Sequence, residues 1–331
     1  MTNRERFQAV LNLQKPMDRL PVIEWAGWWD KTIKRWKSEG LPEDVKPYDY
    51  FGLDWHYQYW IELRRRGAPG AKTHGARVIS DLTMDAYQEF KQYLFPYELA
   101  DDYKRKFEKM KPGHDAGDYP IWISFEGYFW FPRTLFGIQD HFYAFSDCPE
   151  VIHEMNNDLV EYCLFMLKEM CSVLQPDFMT FAEDMSYNHG PMLSHDLYTE
   201  FMLPYYKRIV PELKKNNVKV FIDTDGKLDP LVPWFLEAGI EGVLPLEKQA
   251  GVSITGIRRD YPEFLMIGAF DKTCMNLGEE AMRVEFERIL PVMKSGGYIP
   301  GCDHQTPPLV SIDDYRTYVR LLNEYAVKAV K

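Results

Sequence analysis

The 331-residue chain is 46% hydrophobic and 27% charged, and its 50 acids against 39 basic residues leave a formal charge of −11. An acidic balance of this kind lacks the clustered Lys and Arg that neutralise phosphates, so nucleic acid is not an expected partner, and no apolar run is long enough to cross a bilayer. Cys148, Cys163, Cys171, Cys274 and Cys302 are an odd number of cysteines scattered without CxxC spacing, as expected of reduced thiols in a cytoplasm.

In chain order, MTNRERFQAVLNLQKP opens on Thr2-x-x-Glu5, a capping-box pattern that predicts an amphipathic helix and lacks the apolar core of a secretory signal. RLPVIEWAGWW predicts a first strand ending near Glu24, and FGLDWHYQYWIEL predicts a helix or a second strand. The run Arg64-Arg65-Arg66 reads as a solvated face. The stretch near residues 64–117 has few helix cues and is expected to be an irregular excursion packed on the main body. PIWISFEGYFWFPRTLFG, with Glu126 in it, predicts a strand running into an aromatic loop.

The C-terminal half is more regular. DFMTFAED, VKVFIDTDG, EGVLPLE, FLMIGAFDK and GGYIPGCDH are short apolar stretches ending in polar groups, separated by segments with helical periodicity whose N-caps include Ser194 and Ser311. Alternation of this kind predicts a parallel sheet with crossover helices, and a (β/α)8 TIM barrel with an N-terminal helix is the expected fold, one domain over residues 1–331. In such folds the strand C-termini carry the chemistry. Glu183, Asp184, Asp223, Asp225, Glu247, Asp271, Cys302, Asp303 and His304 should therefore converge.

Asp223 and Asp225 are two apart, so a strand that persists through both aims both carboxyls at the barrel mouth; if Asp225 instead opens a turn with Gly226, the pair is solvated. Glu247 and Cys302 hold the equivalent places on their own strands. Two Asp, one Glu and one Cys match the N- and S-rich closed zinc sites poorly and an open catalytic site or a harder divalent ion better. Several acids at one mouth repel, so either a cation binds or a carboxyl stays protonated. Of the neighbours Glu183 and Asp184 only one should face the pocket. Glu183 is the candidate, and a slip of one residue reverses the two. His304 and His189 follow strands, where a general acid, a ligand or a backbone-bonded imidazole all occur. Eight of the nine tryptophans fall before residue 131, including Trp25, Trp28 and Trp29, and wall a pocket for a flat, apolar or cationic ligand or pack a core or a dimer face.

Taken together, MTNRERFQAVLNLQKPMDRLPV, FAEDMSYNHGPMLSHDLYTEFMLPYYKRI, IDTDG, GVLPLEKQAG, MIGAFDK and GGYIPGCDHQTPPLVSIDDYRTYV resemble the uroporphyrinogen decarboxylase superfamily over nearly the whole chain. The resemblance implies a TIM barrel and suggests a homodimer. It also implies one of two chemistries: cofactor-free decarboxylation of porphyrinogen acetates, or zinc-dependent methyl transfer between corrinoid proteins and thiols or methylated substrates. Where the decarboxylases carry an Arg-rich stretch, this chain has IEWAGWWDK, with Glu24, Trp25, Trp28 and Trp29; where they carry a catalytic Asp it has Ile61 beside Glu62. The methyltransferase His-x-Cys pair matches Asp223 and Asp225, and the Cys of the last strand matches Cys302. Glu247 resembles a Glu of the cobalamin-independent methionine synthases.

The expected function is therefore methyl transfer between an O- or N-methylated small molecule and a corrinoid protein. Asp223, Asp225 and Glu183 are the candidate catalytic groups, and Glu24, Trp25, Trp28, Trp29, Glu126 and His304 the candidate substrate contacts. Asp223, Asp225, Glu247 and Cys302 are the candidate ligands of zinc or another divalent metal. The alternatives are a decarboxylase of a smaller acid and a non-catalytic binding protein.

Overall fold

The first helix forms as its capping pattern requires. In the computed structural model, which describes residues 1–73 and 75–331, Thr2 and Glu5 exchange cap hydrogen bonds at the start of the helix Asn3–Leu11. Arg4 Nε reaches Asp177 Oδ1 at 2.7 Å, just ahead of the third strand. The helix therefore lies across the N-terminal ends of the strands, and its Phe7 stacks on Phe178 (6.4 Å), which stacks in turn on Trp122 (5.2 Å). These rings close one end of the sheet's interior and leave the C-terminal ends open.

The strands are β1 Tyr57–Trp60, β2 Ile121–Glu126, β3 Phe178–Ala182, β4 Ser186–Tyr187, β5 Gly190–Pro191, β6 Lys219–Asp223, β7 Gly242–Leu244, β8 Leu265–Phe270 and β9 Tyr298–Cys302. Seven form one parallel, curled sheet in the order β1-β2-β3-β6-β7-β8-β9, and β4 and β5 form a small antiparallel hairpin above it. All five strands expected in the C-terminal half are present. Register aligns Glu126, Ala182, Asp223 and Leu244 across four neighbouring strands, so the strand ends are level.

The sheet is TIM-like, but among the described residues it has seven strands and not the expected eight. Residues Leu20 to Glu24 are buried between the sheet edges without a ladder of their own. Pro21 has no N–H to donate, and Asp54 takes the next backbone groups: Val22 N donates to Asp54 Oδ2 (2.8 Å) and Asp54 N to Val22 O (2.8 Å). A single bridge, Trp28 to Thr306, joins this segment to the far edge.

Two further expectations are corrected. The excursion contains the helices Met84–Lys91 and Ala100–Ala116; His74, also within it, lies outside the described residues. Ala100, Tyr103, Phe107 and His114 give the longer helix a buried face at helical spacing, and Tyr103 Oη donates to Trp60 O at 3.0 Å, holding the helix to β1. Pro112 and Gly113 inside it are what make its sequence read as irregular. The aromatic segment after β2 is the helix Trp130–Phe136 rather than a loop. No helix among the described residues is long and apolar enough to cross a membrane.

Candidate active site

A cavity of about 450 Å³ opens at the C-terminal ends of the strands. Its floor is a polar ladder across three strands: Gln58 Nε2 donates to Ser124 Oγ (2.9 Å), Ser124 Oγ meets Thr180 Oγ1 (2.8 Å), and Trp122 Nε1 donates to Thr180 Oγ1 (2.9 Å). The lining is part indole, from Trp25, Trp60, Trp122 and Trp130, and part acidic, from Glu183, Asp184, Asp223 and Asp225, with His304 beside both Trp25 and Asp225.

The order of FIDTDG decides the acidic wall. Asp223 ends β6, and Thr224 turns outward, where its hydroxyl accepts from Met185 N (3.0 Å). Asp225 then returns to the pocket. A Cβ at Gly226 would lie 2.7 Å from the backbone of Tyr187, so only glycine lets the turn pass under the β4–β5 hairpin. Both carboxyls face the cavity, as the two-residue spacing predicts. Among the described residues neither accepts a hydrogen bond; the nearest partner is His304, whose Nε2 is 3.6 Å from Asp225 Oδ2. Burial holds the Asp223 carboxyl well above the usual range, with Asp225 and Asp184 adding to the shift. Burial, then Glu247, Asp184 and Asp303, push Asp225 up to about 7 against the pull of Lys272. The His304 imidazole is held below its ordinary value by burial and by Lys272.

Glu183 and Asp184 both line the cavity, where only one of the two was expected to. Asp184 takes a left-handed φ of 46°, which breaks strand alternation and brings it to the acidic wall. Glu183, fully buried at the cavity's edge, accepts from Tyr128 N (2.7 Å), Phe129 N (2.8 Å), Trp130 N (3.1 Å) and the Tyr206 hydroxyl. Burial raises its pKa to about 7, opposed by these four donors. With every acceptor position occupied, Glu183 fixes the turn that presents Trp130 and is no free acid. Leu246 (φ 68°) and Ala269 (φ 71°) are also left-handed, so backbone strain gathers at the strand ends around the cavity.

Several expected contacts lie elsewhere. Glu24 is 1% exposed and faces the C-terminal helix, accepting from Tyr315 Oη at 3.1 Å, while its other oxygen has no partner. Burial pushes its pKa up to about 8. Trp28 packs edge-on against Trp36, Tyr48 and Tyr315 at 5.7–5.9 Å. Trp29 is half-exposed ahead of the helix Asp30–Ser38. Glu126 lies 3.7 Å from Arg64, off the cavity wall. Trp25 is in place, its Nε1 donating to Cys302 O at 2.6 Å.

The candidate metal ligands do not assemble. Cys302 is buried and shares its sheet face with its register partner Phe270, which packs on Phe286 and Tyr318 of the outer helices. Burial raises its thiol well above the ordinary value. Glu247 accepts from Gly226 N (3.1 Å) and pairs with Lys272 (3.5 Å), and Lys272 also holds Asp303 (3.3 Å). Asp271 is tied to Lys248 at 3.0 Å. Among the described residues no three His, Cys, Asp or Glu side chains gather closely enough to hold a metal ion. This donor set does not fit a thiol-activating zinc site.

Sequence reading missed Trp60, Trp122, Trp130, Gln58 and Lys272. The concentration of tryptophans in the first 131 residues signalled the first three as a group, and FDK, which ends β8, is the trace of Lys272.

Among solved structures the chain is similar to a methyltransferase from Methanosarcina mazei, at 15% identity over 98% of this chain and 99% of that one, with a TM-score of 0.65. It is also similar to a B12-independent methionine synthase from a Shewanella species in complex with selenomethionine (13% identity, 70% and 65% of the two chains, TM-score 0.43). A third is a putative vitamin-B12 independent methionine synthase from Listeria monocytogenes (10% identity, 93% and 97%, TM-score 0.47). The first likeness is one of fold. No curated protein matches the chain. The family model for uroporphyrinogen decarboxylase (URO-D) matches residues 137–325, more than half of the sequence, and the chain belongs to that family.

Proposed function

We propose that this protein is a methyltransferase-type enzyme that moves a methyl group between an O- or N-methylated small molecule and a corrinoid carried by a partner protein. The observation that carries this reading is the cavity lining: four indoles and four acids, with no Lys or Arg. Recognition of a polycarboxylate such as a porphyrinogen calls for guanidinium forks. A carboxylate substrate in this cavity would meet Asp184, Asp223 and Asp225 instead, which also weighs against decarboxylation of a smaller acid. The likeness in fold to a methyltransferase agrees with the reading.

In such a transfer the bond from the methyl carbon to oxygen or nitrogen breaks, its electron pair stays with the departing atom, and the acceptor supplies the pair for the new bond. An alkoxide leaving group needs a proton. Asp225, pushed up to about 7 so that it holds a proton in part of the molecules near neutral pH, and beside His304, is the group that supplies it. A tertiary amine departs neutral and needs none. The indoles hold the donor and exclude water, and Glu183 keeps Trp130 in position. No step is assigned to a metal.

The test is to mix the purified protein, reduced corrinoid and a panel of aromatic ethers and methylated amines, and to follow the corrinoid absorbance change on methylation. We expect turnover with at least one donor, and a loss of about 100-fold in Asp225→Asn for an ether donor. Absence of transfer from every donor to both free and protein-bound corrinoid overturns the reading.

A further inference from the structure

We infer that the cavity takes its substrate as a methylated ammonium cation, held between indole faces and balanced by the carboxyls of Asp184, Asp223 and Asp225. This builds on the methyl-transfer reading and narrows its substrate to one chemical class.

Two of the lining indoles have their N–H groups engaged within the protein. Trp25 Nε1 is taken by Cys302 O and Trp122 Nε1 by Thr180 Oγ1, so neither is left to donate to a ligand. Trp122 is also covered, stacked on Phe178 and flanked by His56, so the indoles left with ring surface for a cation are Trp25 and the half-exposed Trp60. Trp130 already serves in this way, with the Arg133 guanidinium 5.3 Å from the ring centroid. That guanidinium is turned to Asp184 O at 3.1 Å and is not part of the lining.

The acidic wall lacks a counter-charge inside the cavity. The nearest ammonium, Lys272, is engaged by Asp303 at 3.3 Å and Glu247 at 3.5 Å. A neutral aromatic ether would leave the carboxyls without partners, and an anion would be repelled by whichever of them is ionised. A compact inorganic cation needs converging ligands, which the side chains do not supply among the described residues. A bulky, weakly hydrated ammonium needs only a shaped cavity, aromatic faces and charge of opposite sign within reach. The cavity meets all three conditions.

The experiment is calorimetric titration of the full-length protein with tetramethylammonium, choline, 3,3-dimethylbutan-1-ol as the neutral carbon isostere of choline, and methoxybenzene. We expect choline to bind at least about tenfold more tightly than its isostere. Trp60→Leu, at a half-exposed rim position where folding is least at risk, should remove most of that preference; a thermal melt confirms that the variant is folded. Equal affinity for choline and its isostere overturns the inference, as does no binding of either cation up to about 10 mM. Methyl transfer from methoxybenzene without cation binding overturns it while leaving the methyl-transfer reading intact. Selective cation binding without transfer to any corrinoid supports it and removes that reading instead.

Discussion

Glu183, after β3, and the Asp223-Asp225 pair, at the end of β6, stand on neighbouring strands at the same cavity, and burial raises all three carboxyls. Their surroundings differ completely. Glu183 accepts from three backbone N–H groups and a tyrosine, whereas the two aspartates accept from no donor among the described residues. A raised pKa alone does not separate an architectural acid from a chemical one; the count of satisfied acceptors does. Glu183 is spent on holding the Tyr128–Trp130 turn, and the aspartates are left to answer whatever enters the cavity.

The most direct way to break this comparison is Glu183→Ala. It strands two buried N–H donors and one half-buried one at once, and at about 1–3 kcal/mol for each unsatisfied group the variant should lose roughly 3–9 kcal/mol of stability in urea unfolding. A loss below about 1 kcal/mol would mean that the four hydrogen bonds are not structural. Asp225→Asn should behave in the opposite way. With no donor to lose, its stability should stay within about 1 kcal/mol of the parent, while transfer from an ether donor collapses. If both variants lose stability equally, satisfaction of acceptors is the wrong criterion.

Glu24 sharpens the comparison from a third position, since it is buried with one oxygen satisfied and one not. Its folded pKa of about 8 exceeds the unfolded value of 4.5, so between these limits the folded state binds the extra proton. The sign follows: the stability this group contributes is complete below pH 4.5 and is lost as pH rises through 8, at no more than about 1.4 kcal/mol per pH unit. Glu24→Gln should flatten the slope of unfolding free energy across that window. An unchanged slope would show that Glu24 is ionised in the native state.

How far all this was legible in the sequence depends on which signal each residue leaves. The strands of the C-terminal half were legible because each is a short apolar run with a polar end, and that pattern also located Asp223, Asp225 and His304. The first segment was not, because Leu20 to Glu24 is as apolar as a strand while Pro21 and the Asp54 side chain deny it a ladder. Glu24, Trp28 and Cys302 failed as pocket residues because strand position does not tell which face a side chain takes where the backbone is irregular or the sheet is covered on both sides. Asp184 joins Glu183 at the cavity, against expectation, because a left-handed residue at a strand end breaks the alternation that would have turned it away. Residue types, by contrast, foretold the composition of the lining. Acids and indoles without arginine describe the cavity as accurately in sequence as in three dimensions.

The smallest effect, and the finest test of the acidic wall, concerns Lys272. Asp225 faces Glu247 after β7, Asp184 after β3, Asp303 and His304 after β9, and Lys272 after β8; of these, Lys272 is the group that lowers its pKa, and Glu247, Asp184 and Asp303 raise it. If a cation is held by the ionised carboxyl, choline affinity should strengthen as pH rises through about 7, the value to which Asp225 is pushed. Lys272→Met removes the opposing cation and frees Glu247 and Asp303 from their pairing, so the midpoint of that rise should move to higher pH. The shift should be less than about one pH unit, because Lys272 is partly exposed and water screens its charge. A midpoint that moves to lower pH would mean that Lys272 is not the cation offsetting the acids, and a binding curve flat between pH 6 and 8 would mean that Asp225 does not titrate in the cavity at all.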